Sequence, residues 1–475
     1  MPSAVRPSSA PRRMVDSSRS QAMASMPIDP RRLRATVRLS MTAIVVRDGV
    51  RRPRAQARVR WCGWGRMLRS SSARILPTVT SADRTADISN RLIVVTTVVA
   101  TVGCVYPGFL IGAVTVQVRN EFGVSAATYG WAMGTYFLAA TFASILGGRL
   151  VQRVGPRRQL IGCLITTMAA QGLIAAIGES FGVIVALLAV CGVVNAANQT
   201  AVNLALTRAR LPRLGLAIAL KQSGMPTAAM ISGATVPLLA LTLGWRSAFV
   251  LGVGIAGAAL VLVLRVIEPG GVETLRSAKP VSTRRALYWS MIGGAFLSFS
   301  AGGLTSWLVA SGVDAGLGEG MSGWLLSIGA AFGVGVRLFW GLRMDAMRSL
   351  PYSMAALMAG VGAFGMLGLA PRITALHVVV TFLAFGAGWS WPVFTNFGIM
   401  RANGDAAGAA SGVTQMGIYL GVFLGPLLTG WTIDEFGYSW MWAVVATCMA
   451  IGAAITYAVR EEFAKAGGAL IAYAE

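Results

Sequence analysis

Acidic residues are scarce in this 475-residue chain, which has 18 Asp and Glu against 41 Lys and Arg, and its one histidine is His377. The long apolar runs contain no acid away from their ends. The sequence shows no Ser/His/Asp grouping, metal cluster or phosphate-binding loop, so it argues against an enzyme. The five cysteines have no metal or disulfide spacing, and four lie in apolar runs, which is typical of packing residues.

Charge of either sign is also low, at 12% of the residues against 55% hydrophobic, and the mean hydropathy is +0.65. Runs of about 20 apolar residues, the length that crosses a bilayer, recur from residue 92 onwards. We count twelve such runs, at about 92–115, 126–147, 159–178, 181–205, 216–242, 246–264, 286–309, 321–342, 351–370, 373–397, 410–432 and 439–459. The sequence therefore predicts an all-α membrane protein with twelve transmembrane helices in two six-helix bundles.

The longest connection between the runs, about 265–285, separates six spans from six. The predicted parts are an Arg-rich N-terminal tail (1–90), a first bundle (91–264), a central cytoplasmic loop (265–285), a second bundle (286–459) and a cytoplasmic C-terminal tail (460–475). With a cytoplasmic N-terminus, 17 basic residues after the first tail fall inside and three, Arg119, Arg246 and Arg372, fall outside. This segregation predicts a multi-pass plasma-membrane protein with both termini in the cytoplasm.

The N-terminal tail holds nearly half of the arginines, no lysine and no apolar run of membrane length. Three interpretations stay open. The tail is a disordered cytoplasmic segment that touches anionic lipid headgroups, or the start of the chain is misassigned and Met67 is the true start, or the tail binds nucleic acid. The charge segregation explains the basic character of the rest of the chain without nucleic acid, so none is expected as a partner.

A basic loop between the second and third runs reads Gly148-Arg-Leu-Val-Gln-Arg-Val-Gly-Pro-Arg-Arg158. Gly148 and Gly155 are expected to let the chain turn tightly there. The loop resembles the signature loop of the major facilitator superfamily, Gly-x-x-x-Asp-Arg-x-Gly-Arg-Lys/Arg. The matching positions are Gly148, Arg153, Gly155, Arg157 and Arg158, whereas Gln152 replaces the family's Asp and Pro156 a basic residue.

A partner loop in the second half keeps Gly341 and Asp345 of the same motif and has Arg348 in place of its second glycine. Two such loops at corresponding places are typical of transporters built from repeats. The stretch Leu220 to Gly224, with Gly244 to Arg246 after it, is similar to a bacterial branch of cyanate-permease-like carriers. The resemblance covers about 92–459 and implies two bundles that rock around a midplane site.

Glycine and proline inside the runs predict where helices pack closely or break. Gly417, Gly421 and Gly425 repeat every four residues in the eleventh run, a spacing that lets two backbones approach. Pro226 and Pro237 in the fifth run predict local breaks, which are tolerated where a helix lines a cavity.

Two cations lie well inside the runs, Lys221 in the fifth and Arg337 in the eighth. Each is roughly 9 Å from the cytoplasmic boundary at 1.5 Å per residue. The resemblance implies that these two helices face each other across the seam between the bundles. The first interpretation is that both cations hold an anionic substrate. The alternative is that they extend to the cytoplasm or contact Asp345.

Neutral polar and aromatic residues form a second group of candidates for substrate contact. These candidates are Tyr106, Asn195, Asn198, Gln199, Trp389, Asn396, Gln415 and Tyr419. The three on the fourth run share one helical face, as do Gln415 and Tyr419 on the eleventh. The resemblance implies that the first, fourth, seventh and tenth helices line the pathway, and the alternative for each residue is an interhelical hydrogen bond.

The sequence thus favours a secondary transporter that carries a small, carboxylate-like organic anion. The alternatives are efflux of amphipathic compounds and a non-transporting membrane sensor, and a membrane enzyme ranks last because no nucleophile and base are present. We expect a monomer whose partners are the bilayer and a small molecule, with no metal or cofactor. The coupling ion is open, with H⁺ as the first candidate.

Overall fold

The computed structural model describes residues 81–208, 214–269, 282–344, 351–403 and 407–463, and every regular element in these ranges is a helix. The tail up to residue 80, most of the central loop, Asp345 and the C-terminal tail from residue 464 lie outside the described residues. The first helix begins at Ser81, inside the range 1–90 that the sequence analysis gave to the tail, and the boundary of the tail stays a prediction.

Thirteen helices follow one another with short connections through the described ranges. They are α1 (Ser81–Ala113), α2 (Thr115–Phe122), α3 (Ala126–Val154), α4 (Pro156–Ile177), α5 (Phe181–Arg208), α6 (Leu214–Thr235), α7 (Arg246–Val266), α8 (Arg284–Asp314), α9 (Glu319–Met344), α10 (Pro351–Leu367), α11 (Thr374–Gly386), α12 (Trp391–Asn403) and α13 (Ala407–Ala458). A π-helical turn, Val236–Ala240, and a last turn, Leu241–Leu243, extend α6. We call α1–α7 the first half and α8–α13 the second half.

Nine helical stretches in the described ranges are long and apolar enough to cross a bilayer. The helix α3 is not among them, and α10 is too short. The stretch Thr374–Asn403 combines α11 and α12, and α13 counts once although Gly437 leaves helical geometry inside it, with φ 81°. The all-helical, multi-pass architecture is confirmed, whereas the count of twelve spans and the two bundles of six stay predictions.

The connections between helices lie at two ends of the molecule, and contacts between residues join them there. One end is joined by the pairs Glu121–Arg246, Asp314–Arg372 and Ala126–Asp434. The opposite end is joined by the pairs Arg157–Leu264 and Ser282–Asn403. The first group holds the connections predicted to be extracellular, and we call it the outer end; the other is the inner end.

The glycine repeat of α13 packs against α8 with almost no space between the backbones. A Cβ atom on Gly417, Gly421 or Gly425 would lie 2.0, 2.1 and 2.5 Å from the carbonyl oxygens of Met291, Ala295 and Phe299. These distances are far below any real contact of a Cβ atom, so only glycine fits at these positions. The predicted close approach of two backbones is confirmed.

The two prolines of α6 act differently from each other. At Pro237 the helix widens into the π-helical turn, which confirms a local break because a proline lacks the N–H that the regular ladder needs. At Pro226 the predicted break is wrong, since α6 continues through it. The missing N–H of Pro226 nevertheless leaves the carbonyl of Gln222, four residues earlier, without its helical donor.

Candidate functional site

Arg337 is the buried cation of the seam between the halves. Its side chain on α9 is 2% exposed and donates hydrogen bonds to the carbonyl oxygens of Gln222 and Trp389. Gln222 belongs to the first half and Trp389 to the second, so the guanidinium joins the two. The Nε atom of Arg337 has no partner among the described residues. The side chain therefore points into the seam and does not extend to the cytoplasm.

The backbone explains why these two carbonyls accept from Arg337. The oxygen of Gln222 is the one that Pro226 leaves without a donor. Trp389 lies in the turn between α11 and α12, where the N–H of Val393 bonds to Ser390, 3.3 Å away, instead of to Trp389. Helix irregularities in a membrane need another donor for each freed carbonyl, and here one guanidinium supplies both.

Lys221 lies directly before Gln222 on α6, so the structure brings the two predicted cations to the same part of the seam. Its side chain is partly buried. Neither a hydrogen bond nor an ion pair links its ammonium group to any of the described residues. Whether Lys221 or Arg337 reaches Asp345, as the alternative proposed, lies outside the described residues.

Aromatic rings surround the Arg337 contact. The guanidinium carbon lies 5.2 Å from the centroid of the Trp389 ring. That ring packs edge-on against Phe109 of the first half and Phe385 of the second, each with a centroid distance of 5.5 Å. Trp389 therefore contacts both halves, and its place along a transport pathway stays a prediction.

The polar residues of α5 are buried in the first half and only partly satisfied. Asn195 and Asn198 are fully buried, and Gln199 is 6% exposed. The Asn198 amide donates to the carbonyl of Ala100 at 3.4 Å, which matches the interhelical alternative. Both amide atoms of Asn195 and the nitrogen of Gln199 have no partner among the described residues, so these two keep unused polar capacity.

Sequence reasoning missed a similar residue, Gln171 on α4. It is fully buried, and both of its amide atoms have no partner among the described residues. Its oxygen lies 1.9 Å from the position that a Cβ atom on Gly252 would take, beside the ring of Tyr106. A glutamine at the centre of an otherwise apolar run was the available signal.

Tyr106 and Asn396 lie away from the seam contact. The hydroxyl of Tyr106 donates to the carbonyl of Ala248 on α7 at 3.0 Å, an interhelical hydrogen bond within the first half. Asn396 donates to its own helix at Pro392 O, 2.7 Å away. It also lines a cavity of about 10 Å³ inside the second half, with Ser290, Thr414 and Thr456. A space of this size suits one water molecule.

Gln415 and Tyr419 share a face of α13, as predicted, and their side chains interact. Tyr419 is 4% exposed, and Tyr136 on α3 is fully buried. The Tyr136 hydroxyl donates to the carbonyl of Cys104 at 2.9 Å.

The basic loop of the first half makes its turn at one residue. Gly155 has φ 81°, ends α3 and begins α4, so the conformation there requires glycine. The same expectation for Gly148 is wrong, because α3 runs through it to Val154 and a Cβ atom there would touch nothing within 4 Å. Arginines at 149 and 153 are exposed on this last helical turn, and charged ends let a helix continue beyond the bilayer.

The remaining motif positions divide between surface and seam. Arg157 donates to the carbonyl of Leu264 at the end of α7, 2.9 Å away, whereas Arg158 is exposed. Gly341 is buried, and a Cβ atom there would lie 2.3 Å from the Cβ of Ala219 on α6. Gly341, the glycine of the motif in the second half, therefore lets the two halves pack closely. Asp345 of the same motif lies outside the described residues.

At the outer end, two carboxylates of the second half contact the first half. Asp434 accepts hydrogen bonds from the backbone N–H groups of Ala126 and Ala127, at 3.0 and 2.7 Å. Glu319 accepts one from the Gln117 amide at 2.6 Å. The sequence alone does not reveal these contacts, since the partner of each acid lies in the other half of the chain.

Comparisons of the sequence with known proteins point to a family of transporters. The family description that matches residues 95–425 is the Major Facilitator Superfamily. The chain is 26% identical over 377 residues to the uncharacterized transporter YycB of Bacillus subtilis, covering 74% of this chain and 90% of that protein. It is 23% identical over 393 residues to a gentisate transporter of Corynebacterium glutamicum, covering 75% of this chain and 85% of that protein.

Proposed function

The chain belongs to the major facilitator superfamily, and we propose that it carries a small organic anion across the plasma membrane by alternating access. Arg337 is the principal contact for the anion in this proposal. The observation that carries it is the buried guanidinium at the seam, which contacts two carbonyls and no carboxylate among the described residues.

Charge supports an anion as the missing partner. Carbonyl oxygens accept two hydrogen bonds from Arg337 but leave its positive charge uncompensated. An arginine at the centre of a membrane costs about 2.5–3.5 kcal/mol even on the lowest scale. A carboxylate offers two oxygens that match the guanidinium fork and replaces neutral acceptors with stronger, charge-assisted bonds. Lys221, one residue before Gln222, adds a second positive charge at the same level.

The neighbouring rings support a planar or partly apolar anion. Trp389, Phe109 and Phe385 form a continuous aromatic surface beside the guanidinium. One relative carries gentisate, an organic anion, according to its name. We extend the substrate class, but not that compound, to this chain. Asn195, Gln199 and Gln171 supply unused polar groups for further substrate contact.

The proposal also covers the oligomeric state, the topology and the coupling ion. The protein acts as a monomer with twelve spans, both termini are cytoplasmic, and the two halves alternate in opening. Asn198, Asn396, Tyr106, Gln415 and Tyr419 then hold the helices that form the site. No bound metal or cofactor takes part, and H⁺ is the coupling ion.

Counterflow into proteoliposomes tests the substrate class. The full chain would be preloaded in turn with aliphatic carboxylates, aromatic carboxylates and lipophilic cations, and uptake of the labelled compound measured. We expect exchange of at least one carboxylate and none of the cations. Exchange of cations alone would contradict the anion proposal.

One observation favours a second candidate, efflux of amphipathic compounds. The ring cluster at the seam offers a large apolar contact to such molecules, and the same panel of lipophilic cations decides for or against it. A non-transporting sensor would bind a compound from the panel without any counterflow.

A further inference from the structure

The outer end holds two kinds of contact made by carboxylates. Glu121 pairs with Arg246 at 2.7 Å, and both belong to the first half. Asp314 pairs with Arg372 at 2.6 Å, and both belong to the second half. In the described ranges, the ion pairs of the outer end thus lie within one half each.

The contacts that cross between the halves at this end are of the other kind. Asp434 accepts from two backbone N–H groups and Glu319 from a side-chain amide, so each carboxylate has a neutral donor. Such a bond owes its strength to the charge of the acceptor, because hydrogen bonds to ionised groups are about twice as strong as neutral ones. Protonation of the carboxylate removes that charge and also removes one of its acceptor sites.

Asp434 completes the start of a helix in the other half. The first N–H groups of an α-helix have no partner within the helix. In α3 the N–H of Thr128 bonds to the Ser125 hydroxyl at 3.2 Å, and those of Ala126 and Ala127 bond to Asp434. The positive end of the helix dipole favours an anion at this place. When the halves separate, the N–H groups of Ala126 and Ala127 exchange the carboxylate acceptor for water.

Close backbone packing lies directly behind these contacts. A Cβ atom on Gly430 would lie 2.5 Å from the carbonyl of Ala126, and one on Gly130 would lie 2.7 Å from that of Pro426. Between α6 and α9, a Cβ on Gly233 would lie 2.7 Å from the carbonyl of Gly323. The two carboxylates therefore sit at the outer rim of a closed seam.

We propose that Asp434 and Glu319 are the proton-binding groups of an outer gate: as carboxylates they hold the halves together, and a proton taken up from the outer solution on either one loosens its contact. This inference rests on the proposed transport by two separating halves, and it gives the coupling ion a site. No buried acid within the spans is then required, because the proton acts where the halves meet.

Other charged groups near the gate are few. Tyr438 and Glu435 lie on the same chain segment as Asp434, and Tyr438 interacts with Asp434, Arg119 and Asp314. Arg119 lines an outer cavity of about 500 Å³ with Asp314 and Tyr438, and its Nε donates to the carbonyl of Val124 at 3.3 Å. Around Glu319, the helix α2 carries Arg119 and Glu121, and the latter is paired with Arg246.

The test measures the opening of the outer end without any substrate. Spin labels at Ser180→Cys and Trp440→Cys, both exposed outer positions of different halves, would be placed in a variant with the native cysteines replaced. Their distance distribution would be recorded in lipid nanodiscs from about pH 7.5 to about pH 4.5, the range in which exposed carboxylates begin to protonate.

We expect the longer-distance population to grow as the pH falls. Asp434→Asn and Glu319→Gln should each raise that population about two- to tenfold at pH 7.5, the effect of one weakened hydrogen bond. The double variant should lose the pH response. Glu435→Gln, which removes an adjacent acid without any described contact to the other half, should behave as the unsubstituted protein.

Gln117→Ala separates the gate from a folding defect, because it removes a donor and no acid. It should open the outer end while the response through Asp434 remains. Three results would each overturn the proposal. They are a distance distribution that does not change with pH, distributions unchanged in both Asp434→Asn and Glu319→Gln, and an effect of Glu435→Gln as large as that of those two variants. Because no anion is present, these results are independent of the counterflow experiment: transport of cations would contradict the anion and leave the gate intact.

Discussion

The guanidinium of Arg337 lies over the ring of Trp389, 5.2 Å from its centroid, and donates a hydrogen bond to the carbonyl of the same residue. Its other bond reaches Gln222 in the first half. The ring and the turn around Trp389 therefore fix the orientation of the side chain. An anion that enters the seam would meet a guanidinium already held in place, which lowers the entropic cost of binding.

Replacing Arg337 by Gln should raise the half-saturation concentration of a transported anion by roughly 10- to 100-fold, since one hydrogen bond to a charged group is worth about 1.5–3 kcal/mol. Counterflow at several concentrations measures this change. Arg343→Gln is the matched control, because Arg343 is exposed on the same helix and packs over the Phe339 ring. Equal effects of the two substitutions would show that Arg337 does not contact the anion.

Pro226→Ala tests how Arg337 is held. An alanine restores the N–H that the carbonyl of Gln222 lacks, so this carbonyl would bond within α6 and release the guanidinium. We expect a several-fold weaker affinity for the anion with a protein that is at least as thermally stable. Thermal unfolding and counterflow on the same preparation separate the two effects. An unchanged affinity would mean that the Gln222 contact is dispensable.

Exchange of Arg337 for Lys should also weaken binding, because lysine cannot make the paired, planar contact of a guanidinium. Lys221→Gln should lower the affinity by a smaller factor, since the ammonium has no fixed partner among the described residues. The two variants are compared by half-saturation in counterflow. A lysine at position 337 that restores full affinity would argue for a simple charge effect.

Gly421→Ala should destabilise the second half by roughly 1–3 kcal/mol, the usual effect of overpacking. The added methyl group would meet the carbonyl of Ala295 at 2.1 Å. Gly412→Ala on the same helix is the control, since nothing lies within 4 Å of its added methyl. It should be neutral or slightly stabilising because alanine favours helices. Thermal unfolding in detergent compares the two.

Glu121 should contribute a small, pH-dependent stabilisation. Arg246 donates hydrogen bonds to this carboxylate, as does Trp245, and they hold the pKa of Glu121 below its usual value. The stabilisation is therefore complete above the unfolded pKa, about 4.3, and is lost as the pH falls through the folded pKa. Because both partners are solvent-accessible, with side chains 34% and 40% exposed, we expect about 0.2–1 kcal/mol.

Glu121→Gln should thus unfold slightly more easily than the unsubstituted protein at pH 7, and the difference should shrink in acid. Thermal unfolding at both pH values measures it, with Glu179→Gln as the control, an exposed outer acid. A difference that grows in acid would contradict the assigned contact.

The helices predicted from the apolar runs agree with those in the structure because a bilayer restricts the backbone to few conformations. Backbone groups in lipid must be satisfied within the segment, so an apolar run of sufficient length forms a helix whatever surrounds it. The turn at Gly155 could also be predicted from its own residue, because glycine adopts a φ of 81° with ease. Local reasoning was wrong at Gly148 and Pro226, because helical hydrogen bonds on both sides carried the chain through them.

Candidate residues were harder to predict than helices. The sequence proposed Arg337 and Trp389, because a charge and a ring within an apolar run are visible one residue at a time, and the structure places the two in contact. The sequence also pointed to Tyr106, whose hydroxyl donates a hydrogen bond to the carbonyl of Ala248. It missed Gln171, whose neighbours in the interior, such as Gly252, come from another helix.

Hydropathy and charge are properties of single segments, so the sequence by itself determined that the chain crosses the membrane repeatedly and that most of its basic residues fall on the predicted cytoplasmic side. The partner of each acid depends on how distant helices pack, and only the tertiary structure decided it. Asp434 contacts the start of α3, 308 residues away along the chain. Its role at the seam follows from that packing, because a carboxylate accepts from whichever N–H group the fold brings to it.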